Sequence, residues 1–428
     1  MPRSPSEKLA ALVTSTLECV DSRGTGDVRL RDVAGRAGVS KTWILSVYPS
    51  RSALIAFAIG DRFSKRVERS IDLLTRLAVE LDSADAFIST IETARGQGDH
   101  VLEREEVWQF FEVLVWSIHD VEVAGELAKA KKRLVGAYER LTTTLDDRGW
   151  LHPDVGPVSA AVFLMASSLA RVRLGSQEVP PDGREESLLL VTLNALLVQH
   201  DTEVQSSGFV PGDERSRVED QLARHEIAGD MVRERILEAA AEELAERGAL
   251  EFRIRAVMDA AQVSTTLIYK HFGNREALVE YAAVRLKRMN ARSVRESLTT
   301  ALEPVVSVID GPRRDRMVHA VDAAYRLLRF DTPEAFKVGL TALVSGRRVE
   351  SDDDSQRRRR EYYETVAKVF IHQLELPESF DPRAYADIGP LAFFTGVVLV
   401  SFPEDLASEI SLGAGIIRVV ESTMSLKE

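Results

Sequence analysis

Two short stretches of this 428-residue chain gather cationic side chains. Between Arg29 and Arg51 stand five Lys/Arg (Arg29, Arg31, Arg36, Lys41 and Arg51) against one acid, Asp32. Between Arg253 and Arg275 stand four (Arg253, Arg255, Lys270 and Arg275) against one, Asp259. Both are basic islands in a chain whose net charge is −12. Clustered guanidinium and ammonium groups bind anions locally, while the acidic remainder opposes adhesion to nucleic acid over the whole surface.

Bond-breaking chemistry leaves no comparable signal. The sequence holds no G-x-G-x-x-G, no P-loop, no nucleophile elbow and no Cys/His pair. Gly413-Ala414-Gly415 is too short a glycine signal, and no strand pattern precedes it. The eight histidines show neither His-x3-His nor His-x-x-Glu-His spacing, so neither a metal nor a cofactor is expected. Cys19 is the one cysteine; it excludes an internal disulfide and reads as a buried thiol on an apolar helix face. The sequence therefore points away from an enzyme.

The basic islands sit on a definite local frame. In the first, Leu30, Val33, Ala34 and Ala37 recur at helical spacing on a short helix. Gly38 permits a sharp turn, Val39 plugs the angle, and Ser40 caps the next helix by accepting an orphan backbone N–H. Ile44 and Val47 then face back to the core, which completes a two-helix corner. A shift of 224 positions brings the second island onto the first without a gap. Residues 23–54 and 247–278 agree at thirteen of 32 positions, among them Arg31/Arg255, Val33/Val257, Ala37/Ala261, Ser40/Ser264 and Ile44/Ile268. The match extends upstream, with Leu12, Val13 and Val20 opposite Ile236, Leu237 and Leu244. The chain thus reads as a tandem duplication.

The remainder reads as helix, rich in Ala, Leu, Glu and Arg and poor in interior Gly and Pro. Apolar periodicity predicts helices near 55–81, 101–119, 121–146, 155–174 and 184–200 in the first half. In the second half it predicts them near 277–301, 313–330, 333–345, 355–375, 383–400 and 404–424. Residues 201–229 are polar and predict a linker, and no strand of useful length is indicated. Apolar runs such as Leu391–Phe402 fall short of the roughly 18 residues of a membrane span. The first residues, MPRSPSEK, lack the apolar core of a secretory signal. A cytoplasmic protein is expected.

Both corners resemble the DNA-binding domain of the TetR family of regulators. That family's segment runs roughly V-R-D-I-A-x-x-A-G-V-S-K-x-T-L-Y-x-Y-F-x-x-K-x-x-L. The first copy follows it at Leu30 to Ala34, Ala37 to Lys41, Tyr48, Arg51 and Leu54. The second follows it at Ile254, Arg255, Val257, Ala261, Val263, Ser264, Ile268, Tyr269, His271, Phe272, Arg275 and Leu278. The resemblance implies that the second helix of each corner enters the major groove. Lys41, Thr42, Trp43 and Ser46, or Thr265, Thr266, Leu267 and Lys270, would then meet base edges and phosphates. Tyr269 and His271 fall at family positions for phosphate contact, Arg51 and Arg275 at that of its phosphate-binding lysine, and Tyr48, which matches the pattern, is a further candidate DNA contact. The copies also depart from the pattern. Leu45 stands at the family's tyrosine, Val47 at its next aromatic position, and Arg29 and Arg253 replace a capping Ser or Thr while remaining able to bind phosphate.

The resemblance further implies an all-α fold of two repeats, each a helix-turn-helix domain followed by a regulatory domain. The boundaries would be 1–54 and 55–200, a linker over 201–229, then 230–277 and 278–428. It implies a small-molecule effector held in each helical core. Candidate lining residues are Trp108, Phe111, Trp116 and His119 in the first half. In the second they are Tyr325, Phe336, Tyr362, Phe370, His372 and Phe394. Members of the family act as twofold dimers, so one chain is expected to form an internal pseudo-dimer, with a homodimer of chains as the alternative. The linker, at roughly 90 Å when extended, allows either. Unlike recognition helices imply a double-stranded operator with two unlike half-sites. A helical ligand-sensing or protein-binding scaffold with degenerate modules is the competing reading.

Overall fold

The structure is a computed structural model. It describes residues 4–96, 104–174, 188–198, 231–287, 289–290, 313–326, 333–345, 391, 394–401 and 412–424. The predicted linker and the predicted helix 355–375 lie outside them, as do Tyr362, Phe370 and His372. The described residues are helical, with a single isolated bridge, Leu151 to Leu197, as their extended pairing.

The first corner comprises α1 (Pro5–Arg23), α2 (Leu30–Ala37) and α3 (Lys41–Val47). Ser4 opens α1 with a reciprocal box: its hydroxyl accepts from Glu7 N at 3.2 Å while the Glu7 carboxylate accepts from Ser4 N at 2.7 Å. The body follows as α4 (Arg51–Glu80), α5 (Ala84–Gly96), α6 (Arg104–His119), α7 (Val121–Asp147), α8 (Pro157–Leu174) and α9 (Leu188–Leu196). α4 is the longest helix among the described residues and packs chiefly on α7. Gly60 makes that approach possible, because a Cβ there would lie 2.8 Å from Leu127 Cδ1. α5 is a helix that the sequence reading leaves as a connection. Its apolar face is short (Phe87, Ile88 and Ile91), and its threonines look like loop residues. In the fold Thr90 and Thr93 instead bond back to Ala86 O and Ser89 O.

The second corner comprises α10 (Met231–Arg247), α11 (Ile254–Ala261) and α12 (Thr265–Phe272), continued by α13 over 275–287. Then come α14 (Arg313–Arg326), α15 (Pro333–Ser345), α16 over 394–401 and α17 (Gly413–Met424). Several contacts join the two halves. α17 packs on α9, and 188–196 advanced by 224 gives 412–420, so the two helices stand at the same sequence offset as the two corners. α15 packs on α6, again partners near the same offset. α14 holds the start of α17: the Asp322 carboxylate accepts from Leu412 N at 2.6 Å and Gly413 N at 2.7 Å. That is the work of an N-cap done from another helix. Among the described residues no single helix is long and apolar enough to cross a membrane.

Candidate nucleic-acid interface

The two corners share a set of local devices at positions 224 apart. Gly38 and Gln262 end the first helix in the left-handed conformation, with φ of 66° and 53°. Ser40 Oγ accepts from Trp43 N at 3.1 Å, and Ser264 Oγ from Leu267 N at 3.3 Å. These bonds cap α3 and α12. Ile44 and Ile268 are both fully buried and pin the second helix to the core, whereas Val47, expected to face inward, is exposed on the last turn of α3. The next helix is capped by Ser50 in one copy (from Ala53 N, 3.1 Å) and Asn274 in the other (from Ala277 N, 2.8 Å).

This frame turns Lys41, Thr42 and Ser46 outward on α3, and Thr266, Tyr269 and Lys270 outward on α12. Trp43 and Leu267 are half-buried, and Trp43 rests against the core. Thr265 points its hydroxyl at Met258 Sδ, 2.9 Å away, so it ties α12 to α11. Ser46 bonds back to Trp43 O at 2.7 Å. Arg29 is exposed and His271 half-buried.

Three expected DNA contacts sit differently. Tyr48 is only 3% exposed and packs on Phe57 with ring centroids 5.2 Å apart. Burial pushes its phenol above the usual range, reinforced by Glu126 and Asp61. Tyr48 therefore belongs to the core, as its counterpart Phe272 does; the offset already pairs it with an apolar residue. Arg51 and Arg275 are fasteners of the loop behind the corner. Arg51 donates to Gly26 O (2.8 Å) and Val28 O (3.1 Å), and Arg275 to Ala249 O (2.7 Å) and Phe252 O (3.2 Å). Carbonyls of a loop between two helices need donors, and one terminal nitrogen of each guanidinium, with its two hydrogens, serves both.

Arg253 is held from behind by Glu243, a carboxylate buried in α10 that accepts from both its backbone N and its Nε at 3.3 Å. Glu243 also pairs with Arg247 at 3.5 Å. In the first copy position 19 is the buried Cys19, and the arginine that ends α1, Arg23, pairs instead with Asp32. The Arg23 guanidinium holds the Asp32 carboxyl below the usual carboxylate range. The same arginine is thus anchored by acids from two different places.

The sequence reading also missed a polar network behind the first corner. Arg62 on α4 bonds Asp21 at 2.9 Å and also reaches Gln109, while Arg66 meets Glu106 at 2.6 Å. These residues lie on three helices, and no local pattern links them. Of the expected effector residues, Trp108, Phe111 and Phe394 are buried in one aromatic cluster across the halves. Phe111 stacks on Phe394 at 5.3 Å, and Trp108 meets Phe111 edge-on at 6.0 Å. Trp116 is buried, Tyr325 is half-buried against the same core, and Phe336 lies on α15, its side chain outside the described set. His119 reaches the second corner. Among the described residues no group of three or more His, Cys, Asp or Glu is placed to hold a metal.

The geometry of residues 254–272 is that of a helix-turn-helix, and residues 30–47 carry the same left-handed turn and serine cap. Residues 236–282 match the family described as "Bacterial regulatory proteins, tetR family". That segment begins within α10, takes in all of α11 and α12, and ends within α13. No curated protein matches the chain. Among solved structures the chain is similar to "Structure of ketosteroid transcriptional regulator KstR2 of Mycobacterium tuberculosis". The identity is 16%, covering 47% of this chain and 96% of that one, with a TM-score of 0.22.

Proposed function

We propose that the chain is a sequence-specific, DNA-binding transcription regulator that uses both corners. The observation that carries this reading is the outward face of α12, with Tyr269 and Lys270 on a serine-capped helix inside the segment that matches the tetR family. An exposed cation and phenol on the leading face of a short helix suit phosphate and base edges in a major groove. The acidic remainder of the chain confines that attraction to the corners. The test is a gel shift against DNA from upstream of the chain's own coding sequence. Salt-sensitive binding that vanishes in Lys270→Ala/Tyr269→Phe supports the reading; no salt-sensitive binding at any concentration sinks it.

The pairing of α9 with α17 at the sequence offset of the corners supports an internal pseudo-dimer. In that arrangement one chain reads two unlike half-sites, and a tight dimer of chains in ultracentrifugation without DNA counts against it. The regulator is read as a repressor released by a small molecule bound near the Trp108–Phe111–Phe394 cluster. A second reading, a protein-binding scaffold, is favoured by one observation: α3 exposes Leu45 and Val47 where α12 carries Tyr269 and His271.

A further inference from the structure

We infer that α6 is a common bar on which both helix-turn-helix corners are seated, and that His119, its last residue, is the positioning residue for the second. Only the consequence for DNA rests on the function proposed above; the contacts are independent of it. Along its length α6 meets the first corner. Gln109 lies 3.4 Å from Asp21, and Thr25, in the loop after α1, donates to Glu112. At its far end the same helix meets the second corner. His119 Nδ1 lies 3.1 Å from Glu246 O, so with its proton on Nδ1 the ring donates to that carbonyl.

The turn just after α10 is shaped to that ring. Gly248 has φ of 69°, and a Cβ on it would stand 2.9 Å from His119 Cδ2 and 3.3 Å from Nε2. Both the backbone conformation and the lack of room exclude a side chain. The equivalent Gly24 also has a positive φ, 82°, but nothing lies within 4 Å of its would-be Cβ. Offset 224 from His119 stands Leu343, buried in the core. The contact is therefore not a product of the duplication; it belongs to this one crossing between the halves. α15, which packs on both α6 and α10, forms the other side of the seat. A shift of α6 in the first half thus moves both recognition helices, so one effector-binding event per chain suffices to change their spacing.

The test uses the full chain without DNA. Spin labels are placed at two exposed pairs in a Cys19→Ala background: Lys129→Cys with Lys270→Cys, and Lys41→Cys with Lys129→Cys. His119→Ala is expected to broaden or displace the 129–270 distance distribution and to leave 41–129 unchanged. His119→Asn, whose amide N–H can occupy the place of Nδ1, is expected to restore the first distribution. An unchanged 129–270 distribution in His119→Ala, or equal broadening of both pairs, overturns the inference. A chain that bound no DNA would defeat the proposed function and leave these distances as they are.

Discussion

The two corners have nearly the same local frame but are built into the molecule differently. In the first, Leu12, Cys19, Val33, Ile44 and Tyr48 belong to one apolar core that runs on through α4 into the body. Ion pairs from Arg62 and Arg66 lock the same junction. In the second, Ile236, Leu244, Val257, Ile268 and Phe272 form a separate core that takes in Ala342 and, at its edge, Val338 from outside the corner, while Leu250 packs against the first core. The first corner is welded and the second is seated. The more embedded one has the more apolar recognition helix, and the more separate one has the phenol and the ammonium. An element that must approach DNA needs freedom to adjust, and freedom follows from few buried contacts with its neighbours.

Hollowing each core at the same place should separate the two corners most strongly. Ile44→Ala and Ile268→Ala each remove a fully buried side chain and should cost about 2–5 kcal/mol. Hydrogen exchange should show the Ile268 change confined to 231–287, and the Ile44 change spreading into α4 and α7. Equal spread would remove the distinction.

DNA binding should divide the same way. Lys270→Ala should lower affinity and reduce the salt slope by about 1, whereas Lys41→Ala should do less. A larger loss from Lys41→Ala in the same gel shifts would reverse the ranking.

Next come the turns. Gln262 is a side-chain-bearing residue in the left-handed region where the first corner has glycine. Gln262→Gly should therefore stabilise the second corner by about 0.5–1 kcal/mol, and Ser264→Ala should cost about 1 kcal/mol through the lost cap, both read by thermal melting.

The smallest effect concerns acid. The folded pKa of Asp32 is depressed by Arg23. Its stabilisation is present above the unfolded value of about 3.9 and is lost as pH falls through the folded one. Asp32→Asn should flatten the acid limb of the first corner's unfolding, monitored by exchange in α1 to α3. The second corner has Ala256 at that position.

Much of this was legible from residue types alone. The serine caps, the turns at Gly38 and Gln262 and the buried isoleucines depend on neighbours a few residues away, and short-range spacing encodes them. The same spacing failed where a side chain's partner lies far along the chain. Arg51 and Arg275 look like free cations until the loop carbonyls 23 to 26 residues back are in place. α5 was missed because its burial comes from the body and not from a long periodic stripe.

What the sequence determined by itself was the repeated corner and its outward basic face, because local hydrogen bonding and apolar spacing suffice to specify them. Tertiary structure decided which cations remain available and that Tyr48 is core. It also decided that a histidine at the end of α6 meets a glycine turn 129 positions later. Those outcomes depend on packing between distant helices, and no short-range pattern encodes which surfaces will meet.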